Sequence, residues 1–323
     1  MTASSAIRIA PLERSTESRQ RLGAIANNVD LSHLTNADFN LLKEAVCDHQ
    51  VLVLKNQAKM TPKEQYELTQ RFDPAAQAYG HGKNHNNAEA AKASILHPDL
   101  KTITHRRLKH PHHQTFYRDV VPKEDDLKAT RFFRWHIDAE LYDLNPPRVT
   151  TLMAVNVPKG ATQICRHDEG SSEELEVPLG TTAFVNGETM YDILSDEDKE
   201  YVRTTKVEYA PHPYTWMRNA RSHSRSTGLG LHTENLELPL DQLPPIDDHK
   251  IKILPMVWKN PITGRLALQV HPSAFRKLHL ANGTVIDDLH EVRDILYRLQ
   301  RPGIAPDLVY AHDWEEGDLV IFQ

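Results

Sequence analysis

With 323 residues, 38 basic against 44 acidic side chains and a net charge of −6, the chain suits one large domain or two smaller ones and argues against a nucleic-acid binder built on a basic face. Mean hydropathy is −0.55 and the longest apolar runs, Val51 to Leu54 and Leu319 to Phe322, are four residues, far below the ~20 of a membrane span; the first 18 residues hold no apolar core of a secretory signal. Two cysteines, Cys47 and Cys165, make no disulfide framework and fit a reducing compartment, so a soluble, cytoplasmic protein without nucleic-acid or membrane partners is expected.

The first clear element is a helix over 36–48, where Phe39, Leu42, Ala45 and Val46 mark one face and Thr35 or Asn36 is the N-cap. Val51-Leu52-Val53-Leu54 then reads as a buried strand. Thr61-Pro62-Lys63-Glu64 is a capping box with proline at the first helical position, opening a helix toward Phe72. From 73 to 128 the chain turns polar and rich in His, Asn, Ala and Pro. Apolar periodicity is weak, and a stretch of this length reads as a lid or insert loop. Within it, Gln77-Ala-Tyr-Gly-His-Gly-Lys83 carries groups able to hold a polar ligand.

After Arg131 the pattern changes to strands: 134–138, 149–157, 181–185, 204–210, 253–258, 265–271 and 318–322 are β-branched or apolar runs bounded by Pro, Gly and Asn turns. Two helices interrupt them, one over 195–202 capped by Ser195 and one over 287–299 with Leu289, Val292, Leu296 and Leu299 on one face. Many short strands with few helices predict a mostly β sandwich or jelly roll with helical decorations, organised as a single domain.

Nineteen histidines make metal chemistry worth testing and make accidental motifs common. Trp135-His136-Ile137-Asp138 holds a His-x-Asp, whose imidazole and carboxylate would share one face of a strand and converge on one ion. With 19 histidines and 23 aspartates about 1.4 such pairs arise by chance, and a second copy stands at His97-Pro98-Asp99 in the polar stretch, where it reads as a surface turn. On spacing alone, His136 and Asp138 are a ligand pair or an ordinary edge-strand pair. No dinucleotide fingerprint, P-loop or Gly-x-Ser-x-Gly elbow is present. Cys47 lies on a helical apolar face, Cys165 beside Arg166 and His167 admits a reactive thiol, and His110, His112 and His113 read as a solvated loop.

The order of motifs resembles the iron(II)- and α-ketoglutarate-dependent dioxygenases of the taurine dioxygenase type. The resemblance runs through Leu22-Gly-Ala-Ile-Ala-Asn-Asn-Val-Asp30, His49-Gln-Val-Leu-Val-Leu-Lys-Asn-Gln57, Thr61-Pro62, Trp135-His136-Ile137-Asp138 and Pro158-Lys-Gly-Ala-Thr162-Gln163. It closes with Asn186-Gly-Glu-Thr-Met-Tyr191-Asp192 and His312-Asp-Trp314-Glu-Glu-Gly317-Asp318. Pro211-His-Pro-Tyr-Thr-Trp216, with the stretch from Trp258 to Ala274, is similar to the fungal xanthine dioxygenases of that family.

The resemblance implies a double-stranded β-helix, with His136 and Asp138 as iron ligands and Thr162 contacting a carboxylate of the cosubstrate α-ketoglutarate. It implies hydroxylation of a small polar substrate by dioxygen, xanthine to uric acid among the candidates, with succinate and carbon dioxide released. Gln77, Lys83 and Asn186 are candidate substrate contacts, and self-association into a homo-oligomer is compatible with the chain. Two alternatives stay open: a non-catalytic binding or regulatory remnant, and the same chemistry on a sulfonate, an aryloxy acid or a secondary metabolite. The family's second iron-binding histidine and cosubstrate arginine follow the strand at Gly317-Asp318, beyond Gln323. The expectation is therefore a C-terminally truncated member with low turnover, His312 and His271 being weak substitutes for the third ligand.

Overall fold

The computed structural model describes residues 7–14, 16, 18–74, 135–138, 142, 147–157, 159–167, 172–217, 219, 229–230 and 234–323. The expected lid over 73–128 lies outside them apart from Asp73 and Pro74. Among the described residues the strands form one five-stranded sheet, one four-stranded sheet and three two-stranded ribbons, with no closed barrel. No described helix is long and apolar enough to cross a membrane.

The five-stranded sheet runs in the order Arg8–Pro11, Ala24–Asn27, Val51–Leu54, Leu319–Phe322, Thr150–Met153. Only the pairing of Ala24–Asn27 with Val51–Leu54 is parallel. The chain's last strand is thus central, antiparallel to both neighbours, with Leu319, Val320 and Ile321 wholly buried. Side chains alternate across it. Leu319 and Ile321 join Leu52 and Leu54 under the helices Asn36–His49 and Pro62–Phe72, through Phe39, Leu42, Val46, Leu68 and Phe72. Val320 joins Val51, Val53 and Leu22 on the opposite face, beside Phe184, Tyr310 and Trp314. A strand buried on both faces must be apolar without alternation, which is why these two runs are continuous.

Both helices begin as the capping pattern requires. Thr35 accepts from the amide of Asp38 while Asp38 accepts from Thr35, and Thr61 and Glu64 repeat the exchange. Gln50 ends the first helix in the left-handed region (φ 58°), its N–H donating to Val46 O, and turns the chain into Val51–Leu54.

The second sheet has the order Val285–Ile286, Phe275–His279, Lys206–Tyr209, Ile253–Pro255, all antiparallel. The helix Leu289–Gln300 packs Val292, Leu296 and Leu299 into the large core with Val207, Tyr209, Phe275 and Leu278. Asp196–Thr204 is the other expected helix, capped by Ser195. Several expected strands are shorter than their apolar runs: 149–157 yields Thr150–Met153, and 253–258 divides into Ile253–Pro255 and Val257–Lys259. The strand expected over 134–138 is a correction, because residues 135–138 are described and adopt no strand.

Candidate metal and cosubstrate site

Trp135 packs against the large core and so fixes where the next residues emerge. His136 Nε2 and Asp138 Oδ1 lie 3.2 Å apart, with side chains 48% and 40% exposed. A loop, not the alternation of a strand, brings them together. Two donor atoms each about 2.1 Å from one ion and at right angles about it are about 3 Å apart, so this pair fits two adjacent positions of an octahedral cation. Imidazole nitrogen with carboxylate oxygen is also the donor set that suits ferrous iron. Among the described residues no third His, Cys, Asp or Glu completes a group around them.

Neither weak substitute for a third ligand stands ready. His312 is buried with both ring nitrogens engaged, Nδ1 by the hydroxyl of Tyr310 at 2.6 Å and Nε2 by Asp318 at 3.2 Å. His271 is buried too, and its Nδ1 accepts from the amides of Ser273 and Ala274 at 3.3 and 3.2 Å. That acceptor role places its ring proton on Nε2. Both imidazoles organise turns.

Thr162 precedes the strand Gln163–Arg166, which pairs with Glu174–Val177. Cys165 and Val177 are buried, whereas Thr162, Ile164, Glu174 and Glu176 are exposed. The Thr162 hydroxyl donates to the carboxylate of Glu176, so a cosubstrate carboxylate at Thr162 must displace a carboxylate of the protein. Burial pushes the Cys165 thiol up to about 11, which makes it a poor nucleophile at neutral pH. Cys47 is buried and raised in the same way.

Asn186 is engaged within the protein. It is buried at the N-cap of the helix Gly187–Asp192, its side-chain oxygen accepting from the amides of Glu188 and Thr189, and its nitrogen donates to Gln50. Its acceptor oxygen is thereby taken up inside the protein, and one N–H beyond the bond to Gln50 remains. Gln77 and Lys83 lie outside the described residues, as do His97, Asp99, His110, His112 and His113.

Sequence reasoning missed Tyr142, which is 3% exposed and four residues beyond Asp138. A single tyrosine in a stretch without regular apolar spacing leaves no periodic signal. It also missed Lys55, whose ammonium lies 3.0 Å from both Glu315 and Asp318. The only trace of that pair is a charged residue at the edge of each of two apolar runs.

Residues 10–323 match the family described as "Taurine catabolism dioxygenase TauD, TfdA family". The chain is 58% identical to "Alpha-ketoglutarate-dependent xanthine dioxygenase xanA" of Emericella nidulans, over 98% of this chain and 90% of that protein. It is 56% identical to "Alpha-ketoglutarate-dependent xanthine dioxygenase xan-1" of Neurospora crassa (97% and 80%). For xan1 of Schizosaccharomyces pombe, of the same description, the figure is 45% (99% and 83%). The fold is similar to a crystal structure of a taurine dioxygenase from Burkholderia xenovorans, with a TM-score of 0.57 at 17% identity, covering 98% of this chain and 80% of that one. It is also similar to AAD-2 in complex with Mn(II) and N-oxalylglycine, TM-score 0.56 at 16% identity, covering 98% and 87%.

Proposed function

The chain belongs to the taurine catabolism dioxygenase TauD, TfdA family, and from that membership we propose that it hydroxylates xanthine to uric acid. The reaction consumes dioxygen and α-ketoglutarate and releases succinate and carbon dioxide, one oxygen atom entering urate and the other succinate. The reading rests on the convergence of His136 and Asp138 to 3.2 Å in a chain so similar to xanthine dioxygenases. Its sheets are read as walls of a double-stranded β-helix, and residues 1–323 as one domain.

In this reading His136 supplies a neutral imidazole nitrogen and Asp138 a carboxylate that offsets the charge of a divalent ion. Ferrous iron held there supplies dioxygen activation, coupling cosubstrate decarboxylation to substrate hydroxylation. The protein's part is to place and shield the reactants. Thr162 turns its hydroxyl from Glu176 to a carboxylate of α-ketoglutarate, exchanging one charge-assisted bond for another. Gln77 and Lys83 offer an amide and an ammonium to the purine's carbonyl and ring nitrogens.

The test follows urate and succinate together, with xanthine, α-ketoglutarate and a ferrous ion series that saturates a two-residue site. Equimolar urate and succinate, absent without either iron or cosubstrate, is the expected result. Binding of iron and xanthine with no urate at any ferrous concentration would overturn the reading. Succinate release stimulated by a sulfonate or an aryloxy acid but not by xanthine would move the activity to another substrate.

A further inference from the structure

Building on the reading of His136 and Asp138 as the metal pair, we infer that Tyr142 is a positioning residue for it, clamping the far end of the segment that carries both ligands. Trp135, partly buried, packs against the large core on one side of the pair. On the other side Tyr142 is 3% exposed. Its hydroxyl is bracketed by the backbone of one residue, accepting from the Asp247 amide at 2.6 Å and donating toward the Asp247 carbonyl at 3.4 Å. Its ring lies 4.2 Å from the His212 ring, centroid to centroid, with the ammonium of Lys250 5.9 Å from its face.

These partners are themselves held. Asp247 caps the short turn Asp248–Lys250 by accepting from the amide of His249 at 3.0 Å. His212 sits in the left-handed region at φ 46°, a conformation that persists in a bulky residue only where its surroundings impose it. Nε2–H of His212 donates to Pro245 O at 3.1 Å, and Tyr142 covers its ring. The segment 245–250 and the turn at His212 thus form one socket, and Tyr142 is the side chain that fills it.

Four residues of chain span at most about 14 Å, so a fixed Tyr142 confines where Asp138 can go. With Trp135 directly before His136, the ligand segment is tethered at both ends while its donor groups stay half exposed. Exposed ligands on an untethered loop would lose conformational freedom on binding the ion, and tethering removes that cost in advance.

The test compares the parent chain with Tyr142→Ala, Tyr142→Phe, His136→Ala and Leu68→Ala. The last opens a cavity in the other core, under the helix Pro62–Phe72, and controls for general loss of stability. Affinity for Mn(II) alone is read by paramagnetic resonance, beside the unfolding midpoint and the split of kcat from the xanthine KM. Tyr142→Ala should weaken Mn(II) about tenfold. Tyr142→Phe keeps the ring in the socket and should stay within about threefold, while Leu68→Ala should lower the unfolding midpoint and leave Mn(II) affinity unchanged. Loss should fall on kcat more than on KM.

Mn(II) affinity unchanged in Tyr142→Ala would overturn the inference. So would equal weakening in Leu68→Ala. If the parent binds no Mn(II), or His136→Ala binds it as the parent does, the metal-pair reading itself fails and takes the inference with it; the His136→Ala arm tells the two failures apart.

Discussion

His312 and Asp318 meet inside the protein, Nε2 of the imidazole 3.2 Å from Oδ2 of a carboxylate that is 1% exposed. Lys55 reaches the same oxygen at 3.0 Å, the amide of Glu315 donates to it at 3.0 Å, and Tyr310 closes the far side of the imidazole. The cluster ties the turn before the central strand Leu319–Phe322 to the end of its neighbour Val51–Leu54.

That cluster predicts a pH dependence of stability at both extremes. Burial pushes the Asp318 carboxyl up, but bonds from His312, the Glu315 amide and Lys55 outweigh it and hold it below its ordinary range. Its contribution is therefore whole above the unfolded value of about 3.9 and is lost as pH falls through the folded value. Lys55 runs the other way. Burial lowers it, the bonds to Glu315 and Asp318 raise it by more, and its contribution is whole below about pH 10.4 and lost as pH climbs through the folded value. Urea unfolding of the parent and Asp318→Asn across pH should show a difference of about 2 kcal/mol near neutrality. That difference shrinks toward acid; a gap that is flat from pH 3 to 7 contradicts the account.

The exposure of the metal pair separates function from folding. His136→Ala and Asp138→Ala each remove a half-exposed side chain, so the unfolding free energy should stay within about 0.5 kcal/mol of the parent. Urate formation should fall at least about a hundredfold in both. Turnover that survives either substitution would place the ion elsewhere.

Asn186 distinguishes a helix cap from a substrate contact. Asn186→Ala should cost about 1 to 2 kcal/mol through the lost amide contacts at Glu188 and Thr189, with the xanthine KM unchanged. A raised KM at unchanged stability would return the residue to the substrate.

Arg293 on the helix Leu289–Gln300 neutralises two buried carboxylates. Its guanidinium lies 2.6 Å from Glu237 and 3.7 Å from Glu234, and donates to Asn235 at 2.9 Å, with all three charged side chains under 10% exposed. Arg293→Ala takes the guanidinium from both acids, leaving Glu234 its bond from the Tyr297 hydroxyl, and should cost about 3 to 5 kcal/mol. Adding Glu237→Gln to Arg293→Ala should recover part of the loss, measured by thermal unfolding, since it removes one of the two buried negative charges.

Local signals carried the fold only as far as their range. The helices at 36 and 62 begin where their capping boxes stand, because such a box closes within four residues. The runs at 51 and 319 are strands because two-sided burial demands unbroken apolar sequence. Half-exposed strands such as Gln163–Arg166 and Phe275–His279 were not legible, since charged residues interrupt them and their partners lie at a distance in the chain. The apolar run at 253–258 reads as one strand, but wholly buried Met256 divides it into two, each with a different partner.

The order of residues by itself determined the family, the His136 and Asp138 pair as candidate ligands, the helix starts and the two apolar strands. Each of these depends on identities at short, fixed spacing. Tertiary structure alone decided that His312 is locked against Asp318 and Lys55, that Asn186 caps a helix, that the ligand pair converges from a loop, and that Tyr142 is buried in a socket made by His212 and Asp247. The role of an imidazole, an amide or a phenol is set by which groups reach its polar atoms, and here many of those groups lie scores of residues away in the chain.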